Sequence, residues 1–145
     1  MIKEKIEKLR NEVLVDLSAR LIYGVVVNTP KGDGHLCSIN QTIFGDELGV
    51  NVEATKRDTF KLEDCKPYLR PMSSMTEEER KEYEGFIIHR EHVNAWGQEW
   101  DIDCFSFDGA PRLIDWLNRK MFDYRGLIEK GSAIAVNGEN NPYKE

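Results

Sequence analysis

The amino-acid sequence predicts an α+β fold, with a single domain over residues 1–135 and a mobile tail at 136–145. Two observations support this fold class. Apolar residues recur at helical spacing near the start of the chain and again after residue 110, and short β-branched runs bounded by turn residues lie between these segments. Helices and strands in separate blocks are typical of an antiparallel sheet accompanied by helices.

The N-terminal part of the chain predicts one helix and a four-stranded meander. Ile2, Ile6, Leu9 and Val13 recur at helical spacing between charged residues, which indicates an amphipathic helix over residues 2–20. Four short apolar runs separated by turn-forming residues then predict a small, curved antiparallel sheet. These strands are expected at residues 21–28, 35–39, 48–54 and 59–62.

The stretch KPYLRPMSSMTEEERKEYEG at residues 66–85 predicts an extended segment followed by a helix. Pro71 is disfavoured in a helix interior, so residues 66–75 are expected to run extended off the sheet. Thr76 and Glu79 have the spacing of a capping box, in which each side chain binds the backbone N–H of the other residue. A helix start explains the hydroxyls and the acids better than a docking peptide or a phosphorylation switch does.

A second hairpin is predicted from two strands at residues 86–94 and 99–107. Two registers fit the spacing. One places Glu91 opposite Asp101, where like charges repel, and the other places His92 opposite Asp101 and pairs opposite charges along the hairpin. We therefore expect the second register.

The C-terminal part of the chain predicts a pair of helices. An apolar stripe over residues 113–121 indicates the first helix. Asp123 is expected to begin a second, shorter helix that ends at Gly131. Within this second helix, Leu127 and Ile128 are expected to face the core.

Composition and charge argue against several classes of protein. The net charge is −6, and residues 76–108 carry three Lys/Arg against ten Asp/Glu, which argues against a broad basic face for nucleic acid. No apolar stretch approaches the roughly 20 residues that a membrane span needs, so no membrane association is expected. The three cysteines are far apart and odd in number, which favours a reducing, cytoplasmic location.

The second hairpin carries the candidates for chemistry, and each is weak. His92 with Asp101 has the composition of a catalytic dyad, although a solvent-facing cross-strand pair is the simpler interpretation. The favoured register also brings His89 beside Cys104, which would supply two metal ligands, whereas a structural zinc site needs four. We therefore expect no metal and no cofactor, and an enzyme is the less favoured interpretation.

Four basic residues near the C-terminus are the candidates for nucleic-acid binding: Arg112, Arg119, Lys120 and Arg125. The two predicted helices around them suggest a helix-turn-helix. The second helix is too short for an ordinary recognition helix, so DNA binding through these residues is an alternative and not the leading hypothesis.

Two segments resemble signatures of a family of uncharacterised phage and prophage-associated proteins of gut anaerobes. KPYLRPMSSMTEEE at residues 66–79 is similar to the family's KPYLRP(M/L)SSMTEEE, and FDYRGLIEKG at residues 122–131 is similar to its C-terminal signature. The resemblance implies an association with a mobile genetic element and implies no activity. Residues 119–121 replace a more histidine-rich stretch of the family, which lowers the expectation of a catalytic site there.

The leading functional hypothesis is a non-catalytic accessory or interaction protein of a phage or prophage, with an unknown protein partner. The alternatives are a DNA-associated factor and a small enzyme. An exposed apolar patch would favour the protein partner, and a continuous strip over the four basic residues would favour DNA. A cleft that collects His92 and Asp101 with neighbouring charges would favour the enzyme.

Overall fold

The computed structural model describes most of the chain, and its fold is α+β, as the sequence predicts. The described residues are 2–53, 56–86, 88–93, 99–104 and 109–144. Within these ranges, no helix combines the length and the apolar character that crossing a bilayer would require.

The contacts within the chain divide it into two compact units. The first unit comprises Met1–Met72 together with Asn118–Glu145, and the second comprises Ser73–Leu117. The second unit is thus an insertion, in sequence, between two parts of the first. The single domain expected over residues 1–135 stays a prediction.

The described α-helices and strands follow one another along the chain as three helices and eight strands, and three single turns of 3-10 helix lie between them. In order they are α1 (Ile2–Arg20), β1 (Val26–Thr29), β2 (Gly32–Thr42), β3 (Gly45–Glu53), β4 (Lys56–Lys61), β5 (Lys66–Leu69), α2 (Glu77–Gly85), β6 (Ile88–Val93), β7 (Glu99–Cys104), α3 (Gly109–Arg119) and β8 (Ile134–Ala135).

The first unit is built on a six-stranded sheet in the order β4-β3-β2-β1-β5-β8. The predicted meander is confirmed, because β1 to β4 pair antiparallel in consecutive order. The prediction that the sheet is wholly antiparallel was wrong. The sheet is mixed, because β8 pairs with β5 in parallel. Residues 66–69 also pair with β1 and do not run off the sheet. Their apolar members explain this difference, since Pro67, Tyr68 and Leu69 are all buried there.

α1 confirms the predicted N-terminal helix, and its second half packs against the sheet. Val13 and Leu17 join the core that the buried side chains of β1, β2 and β3 form. In the first half of the helix, Ile2 is 77% exposed and Ile6 is 63% exposed. The apolar stripe of α1 therefore continues beyond the core onto the surface.

A buried ion pair joins α1 to the C-terminal segment. The Asp16 and Arg20 side chains are both fully buried, and Arg20 Nε and Nη2 donate to the two carboxylate oxygens at 2.9 and 3.1 Å. The same Nη2 also donates to the carbonyl of Phe122 at 2.6 Å. Burial raises the pKa of Asp16 above its ordinary value and outweighs the lowering effect of Arg20.

In the second unit, the predicted capping box at the start of α2 is confirmed. The Glu79 N–H donates to Thr76 Oγ1 at 3.1 Å, and the Thr76 N–H donates to Glu79 Oε1 at 3.0 Å. At the other end of this unit, Trp116 Nε1 of α3 donates to Glu82 Oε2 of α2 at 2.8 Å. The two helices of the second unit are thus held to each other by a specific contact.

The predicted register of the second hairpin was wrong. β6 and β7 pair with Glu91 opposite Asp101 and with His92 opposite Trp100. One physical reason lies in the turn, since the predicted register requires a tight turn at Trp96-Gly97 and tryptophan is poorly suited to a positive φ. Residues 94–98, between the two strands, lie outside the described residues.

The predicted C-terminal helical pair was also wrong, because only α3 forms. Residues 124–131 are turns. The Asp123 carboxylate accepts from the N–H groups of Leu127 and Ile128, both at 2.9 Å, and Gly126 has a left-handed φ of +73° that a right-handed helix excludes. Leu127 is fully buried, as predicted.

The C-terminal tail is anchored to the sheet at Tyr143. The Tyr143 hydroxyl donates to the carbonyl of Tyr68 at 2.7 Å and accepts from the N–H of Val26 at 3.0 Å. Burial raises the pKa of Tyr143 to about 12. The mobility expected for residues 136–145 stays a prediction, although this residue ties the segment to β1 and β5.

The capping box gives a first test of the second unit. We expect Thr76→Ala to lower the free energy of unfolding by about 1 kcal/mol, because one helix N–H loses its acceptor. Thr76→Ser keeps the hydroxyl and serves as the matched control. Urea denaturation of both variants measures the difference, and equal stability of Thr76→Ala and the wild type would contradict the capping role.

The buried ion pair gives a second test. We expect Arg20→Met to cost about 3–5 kcal/mol at neutral pH, because the buried Asp16 carboxylate then loses its closest partner. The folded-state pKa of Asp16 is raised, so protonation favours the folded state and the stability it contributes is lost as pH rises through that pKa. Arg20 lowers that pKa, so the pKa should rise further in the variant, and the cost should shrink as pH is lowered and the carboxylate is protonated. Urea denaturation at several pH values measures it, and a pH-independent cost would be the contrary result.

Candidate interaction surface

Two hairpin turns of the first unit have the same hydrogen-bonding pattern. Residues 29–32, Thr-Pro-Lys-Gly, join β1 to β2, and residues 42–45, Thr-Ile-Phe-Gly, join β2 to β3. In each turn the threonine hydroxyl donates to the glycine carbonyl, at 2.7 and 2.8 Å, and accepts from the N–H of the third residue, at 3.2 and 3.1 Å. The two glycines have φ values of +121° and +120°, which favour glycine. The two turns therefore share one hydrogen-bonding pattern and one glycine conformation.

The two central residues of the second turn form an apolar tip. Ile43 is 94% exposed and Phe44 is 89% exposed, whereas the first turn places Pro30 and Lys31 at the corresponding exposed positions. The turn itself needs only the threonine and the glycine. The exposed Ile and Phe side chains therefore have no role in forming the hairpin.

An apolar cavity of about 210 Å³ lies beside the first half of α1. Val13, Leu62 and Cys65 line it and are almost fully buried, and Ile6 and Leu9 complete its apolar wall. Its rim is charged, because three of its lining residues are Arg10, Glu63 and Lys66. Burial raises the pKa of the Cys65 thiol to about 11, so this thiol is protonated at neutral pH.

Arg10 connects the apolar cavity to the base of the apolar tip. Its guanidinium lies 3.1 Å from Asp46 Oδ2, directly after the turn, and 2.6 Å from Glu63 Oε1 on the cavity rim. A Cβ atom placed on Gly45 would lie 3.4 Å from Arg10 Nη2. The tip and the cavity are thus neighbours on the first unit.

The four basic residues predicted for nucleic acid are divided between the two units, with three in the first and one in the second. Arg119 and Lys120 line a separate cleft of the first unit, together with Arg70. Arg112 belongs to the second unit, where its guanidinium lies 5.9 Å from the Phe86 ring centroid.

Arg125, the fourth of these basic residues, is engaged with the buried ion pair. Its Nε lies 3.3 Å from Asp16 Oδ1, and its guanidinium lies 5.1 Å from the Tyr124 ring centroid. Its ion-pair partner among the described residues is thus Asp16 of α1.

The weak candidates for chemistry lie in strands whose side chains fall outside the described part of the structure. These are His92 and Asp101 for catalysis, and His89 and Cys104 for metal binding. The backbone register does place His89 opposite Asp103 and not beside Cys104. Among the described residues, no group of three or more His, Cys, Asp or Glu side chains is placed to hold a metal ion. The chemical roles of these four residues stay predictions.

Sequence reasoning missed the apolar tip, although the sequence carried two signals for it. The pattern Thr-x-x-Gly occurs at residues 29–32 and again at 42–45, each time between two strands. An Ile-Phe pair is also an unusual choice for a tight turn, where Gly, Pro, Asn and Asp are preferred. The cavity had a weaker signal, since Ile6, Leu9 and Val13 were recognised only as one face of a helix.

No family model, curated protein or solved structure matches the chain. The resemblance to phage and prophage-associated proteins therefore stays a prediction.

The paired turns give a direct test of whether the tip has a structural role. We expect the double variant Ile43→Pro/Phe44→Lys, which copies the first turn into the second, to change the free energy of unfolding by less than about 0.5 kcal/mol. Thr42→Val, which removes the shared hydroxyl, should cost about 1 kcal/mol. Urea denaturation measures both, and a large loss in the double variant would show that the apolar pair stabilises the fold.

Proposed function

We propose that this chain is a non-catalytic interaction protein that associates with a second copy of itself by placing the apolar tip into the apolar cavity. The observation that carries the proposal is the exposure of Ile43 and Phe44 on a turn whose hydrogen-bonding pattern also forms around Pro30 and Lys31 in the first turn. Large apolar side chains left in water without a folding role are typical of a binding surface. An accessory role in a phage or prophage is the setting that the sequence resemblance implies.

The tip has the properties of an interface anchor. Aromatic and aliphatic side chains that enter a partner's pocket supply most of the energy of many interfaces, and each contributes about 1.5–3 kcal/mol when it is fully buried. The threonine hydroxyl already fixes the backbone of the turn in the free protein. Little conformational entropy is therefore lost on binding, which favours association.

The cavity fits a side chain better than a small-molecule ligand. Its volume of about 210 Å³ is below the roughly 300–1,000 Å³ of typical ligand pockets. Its apolar wall and charged rim match the organisation of a binding hot spot, in which polar residues surround an apolar centre. A second copy of this chain offers the complementary part, an exposed phenylalanine.

A reciprocal exchange between two copies is the simplest arrangement. Because Arg10 places the tip and the cavity side by side, one two-fold axis can seat each tip in the other copy's cavity. Such an interface is self-complementary and closes at two copies. It is also small, so we expect a reversible dimer whose population depends on protein concentration.

The experiment is sedimentation velocity over a range of protein concentrations. We expect the wild type to form a dimer, and we expect Ile43→Pro/Phe44→Lys and Ile6→Glu, which changes the exposed wall of the cavity, each to remain monomeric. Ile22→Lys is the matched control, because Ile22 is 81% exposed but belongs to neither surface. Since each copy carries a net charge of −6, added salt should strengthen the dimer by screening repulsion.

A mixture of the two monomeric variants tests the contact itself. The tip variant retains an intact cavity and the Ile6→Glu variant retains an intact tip, so the mixture should form a weak heterodimer with one of the two contacts. If the wild-type dimer formed instead by contact between two tips, the mixture would give no heterodimer. That result would refute the proposed arrangement. A wild type that stays monomeric at every concentration would refute self-association, and tip-dependent capture of a different protein would then identify another occupant.

The alternatives have less support from the described residues. Arg125, one of the four basic residues, is engaged with the buried Asp16 carboxylate, which makes it less available to a phosphate backbone. The apolar cavity contains one thiol, Cys65, which is protonated at neutral pH and is therefore a poor nucleophile. The DNA and enzyme hypotheses remain alternatives to be tested by the same purified protein.

A further inference from the structure

We propose a second binding site on the first unit, a basic cleft that takes the phosphate group of a small ligand. The cleft has a volume of about 340 Å³ and is lined by Arg70, Arg119 and Lys120, with Tyr23, Asn141 and Tyr143 as further walls. This volume falls within the roughly 300–1,000 Å³ of typical small-molecule pockets. The site uses none of the residues of the tip or the cavity, so it is independent of the proposed self-association.

The backbone brings the three cations together through an unusual conformation at Met121. Its φ is +62°, which makes it the one non-glycine residue with a positive φ in the described ranges, and its side chain is buried. Left-handed conformations of this kind cost about 1–3 kcal/mol and cluster at binding sites. The strained residue directly follows Arg119 and Lys120, and it turns the chain from the end of α3 toward β5.

Hydrogen bonds to Arg70 hold this conformation in place. The Arg70 N–H donates to the Met121 carbonyl at 2.7 Å, and the Asp123 N–H donates to the Arg70 carbonyl at 2.8 Å. The Arg70 guanidinium lies 4.2 Å from the centroid of the Phe122 ring, which orients it by a cation–π contact. One cleft is therefore lined by Arg70, directly after β5, and by Arg119 and Lys120 at the end of α3. Hydrogen bonds hold the backbone at this cleft in place.

The cleft is suited to binding and not to proton transfer. The Tyr143 hydroxyl is fully engaged with Tyr68 and Val26, and its pKa is raised to about 12. In the described part of the chain, Arg119 and Lys120 have no carboxylate within ion-pair distance. On a chain of net charge −6, these two cations form a local positive field that favours a compact anion over extended nucleic acid.

Phosphate is the anion that this set of donors fits best. Arginine presents a planar fork that can bind two oxygens at once, and lysine adds a compact charge. A phosphate dianion offers more oxygens and more charge to Arg119 and Lys120 than a carboxylate, which has two oxygens and one charge. The remaining volume beside Tyr23 and Asn141 leaves room for the rest of a small ligand.

The test is titration calorimetry of the full chain with inorganic phosphate and pyrophosphate, with acetate and a short DNA duplex as comparison ligands. We expect phosphate or pyrophosphate to bind more tightly than acetate, and Arg119→Ala/Lys120→Ala to weaken that binding by at least about tenfold. Lys56→Ala/Lys61→Ala removes the same charge from the exposed surface of β4 and should leave the affinity within about twofold. The tip variant should bind as the wild type does.

Three results would overturn the proposal. If neither phosphate nor pyrophosphate binds, the cleft is not a phosphate site. An equal loss in the Lys56→Ala/Lys61→Ala control would mean that net charge, and not the cleft, binds the anion. Binding of the duplex through Arg119 and Lys120 without binding of phosphate would restore the DNA hypothesis in place of this one.

Discussion

The carboxylate of Asp16 and the guanidinium of Arg20 are both shielded from water, and this ion pair fixes where α1 meets the C-terminal segment. A charge in such a place is tolerated only when it is paired and hydrogen-bonded. Arg20 makes two bonds to Asp16 and one to the Phe122 carbonyl, while its buried Nη1 has no hydrogen-bond partner in the described part of the chain. The apolar core would accept several positions of α1 along the sheet, whereas these directional bonds accept one.

Both proposed binding surfaces depend on that position. α1 carries Ile6 and Leu9 into the apolar cavity, so a shift of the helix would change the cavity's shape. The bond to the Phe122 carbonyl also fixes the chain beside Met121, which in turn positions Arg119 and Lys120 next to Arg70. At each surface the backbone is held by bonds that do not involve the side chains proposed to bind. The backbone at the apolar tip therefore does not depend on the Ile43 and Phe44 side chains.

Local features of the sequence predicted local structure well. The helix over residues 2–20, the antiparallel meander and the capping box at Thr76 each depend on residues close together in the chain, and each is found. Several of the features that the sequence did not predict are contacts between residues far apart in the chain. The sequence gives no sign that Arg20 would bind a carbonyl 102 residues away or that β8 would pair with β5. Gly126 was a signal against the helix predicted to begin at Asp123, since glycine favours the left-handed conformation found there.

For the candidate surfaces too, the sequence indicates local features but not contacts between distant residues. Arg119 and Lys120 were identified as binding residues from their charge, but their grouping with Arg70 depends on the sheet and could not be read from spacing. The apolar tip depends on local features alone, but an Ile-Phe pair is not among the residues that usually signal a turn, so residue type did not reveal it.

The insertion of the second unit between the two parts of the first has a consequence for synthesis on the ribosome. β5 leaves the exit tunnel with β1 as its neighbour, but β8 follows only after residues 73–117 have been made. At roughly 5–20 residues per second, the nascent chain exposes one unpaired edge of β5 for several seconds. Such an edge is a template for pairing with other chains. Slow translation through residues 73–117 would thus lengthen the period in which the nascent chain is most prone to aggregate.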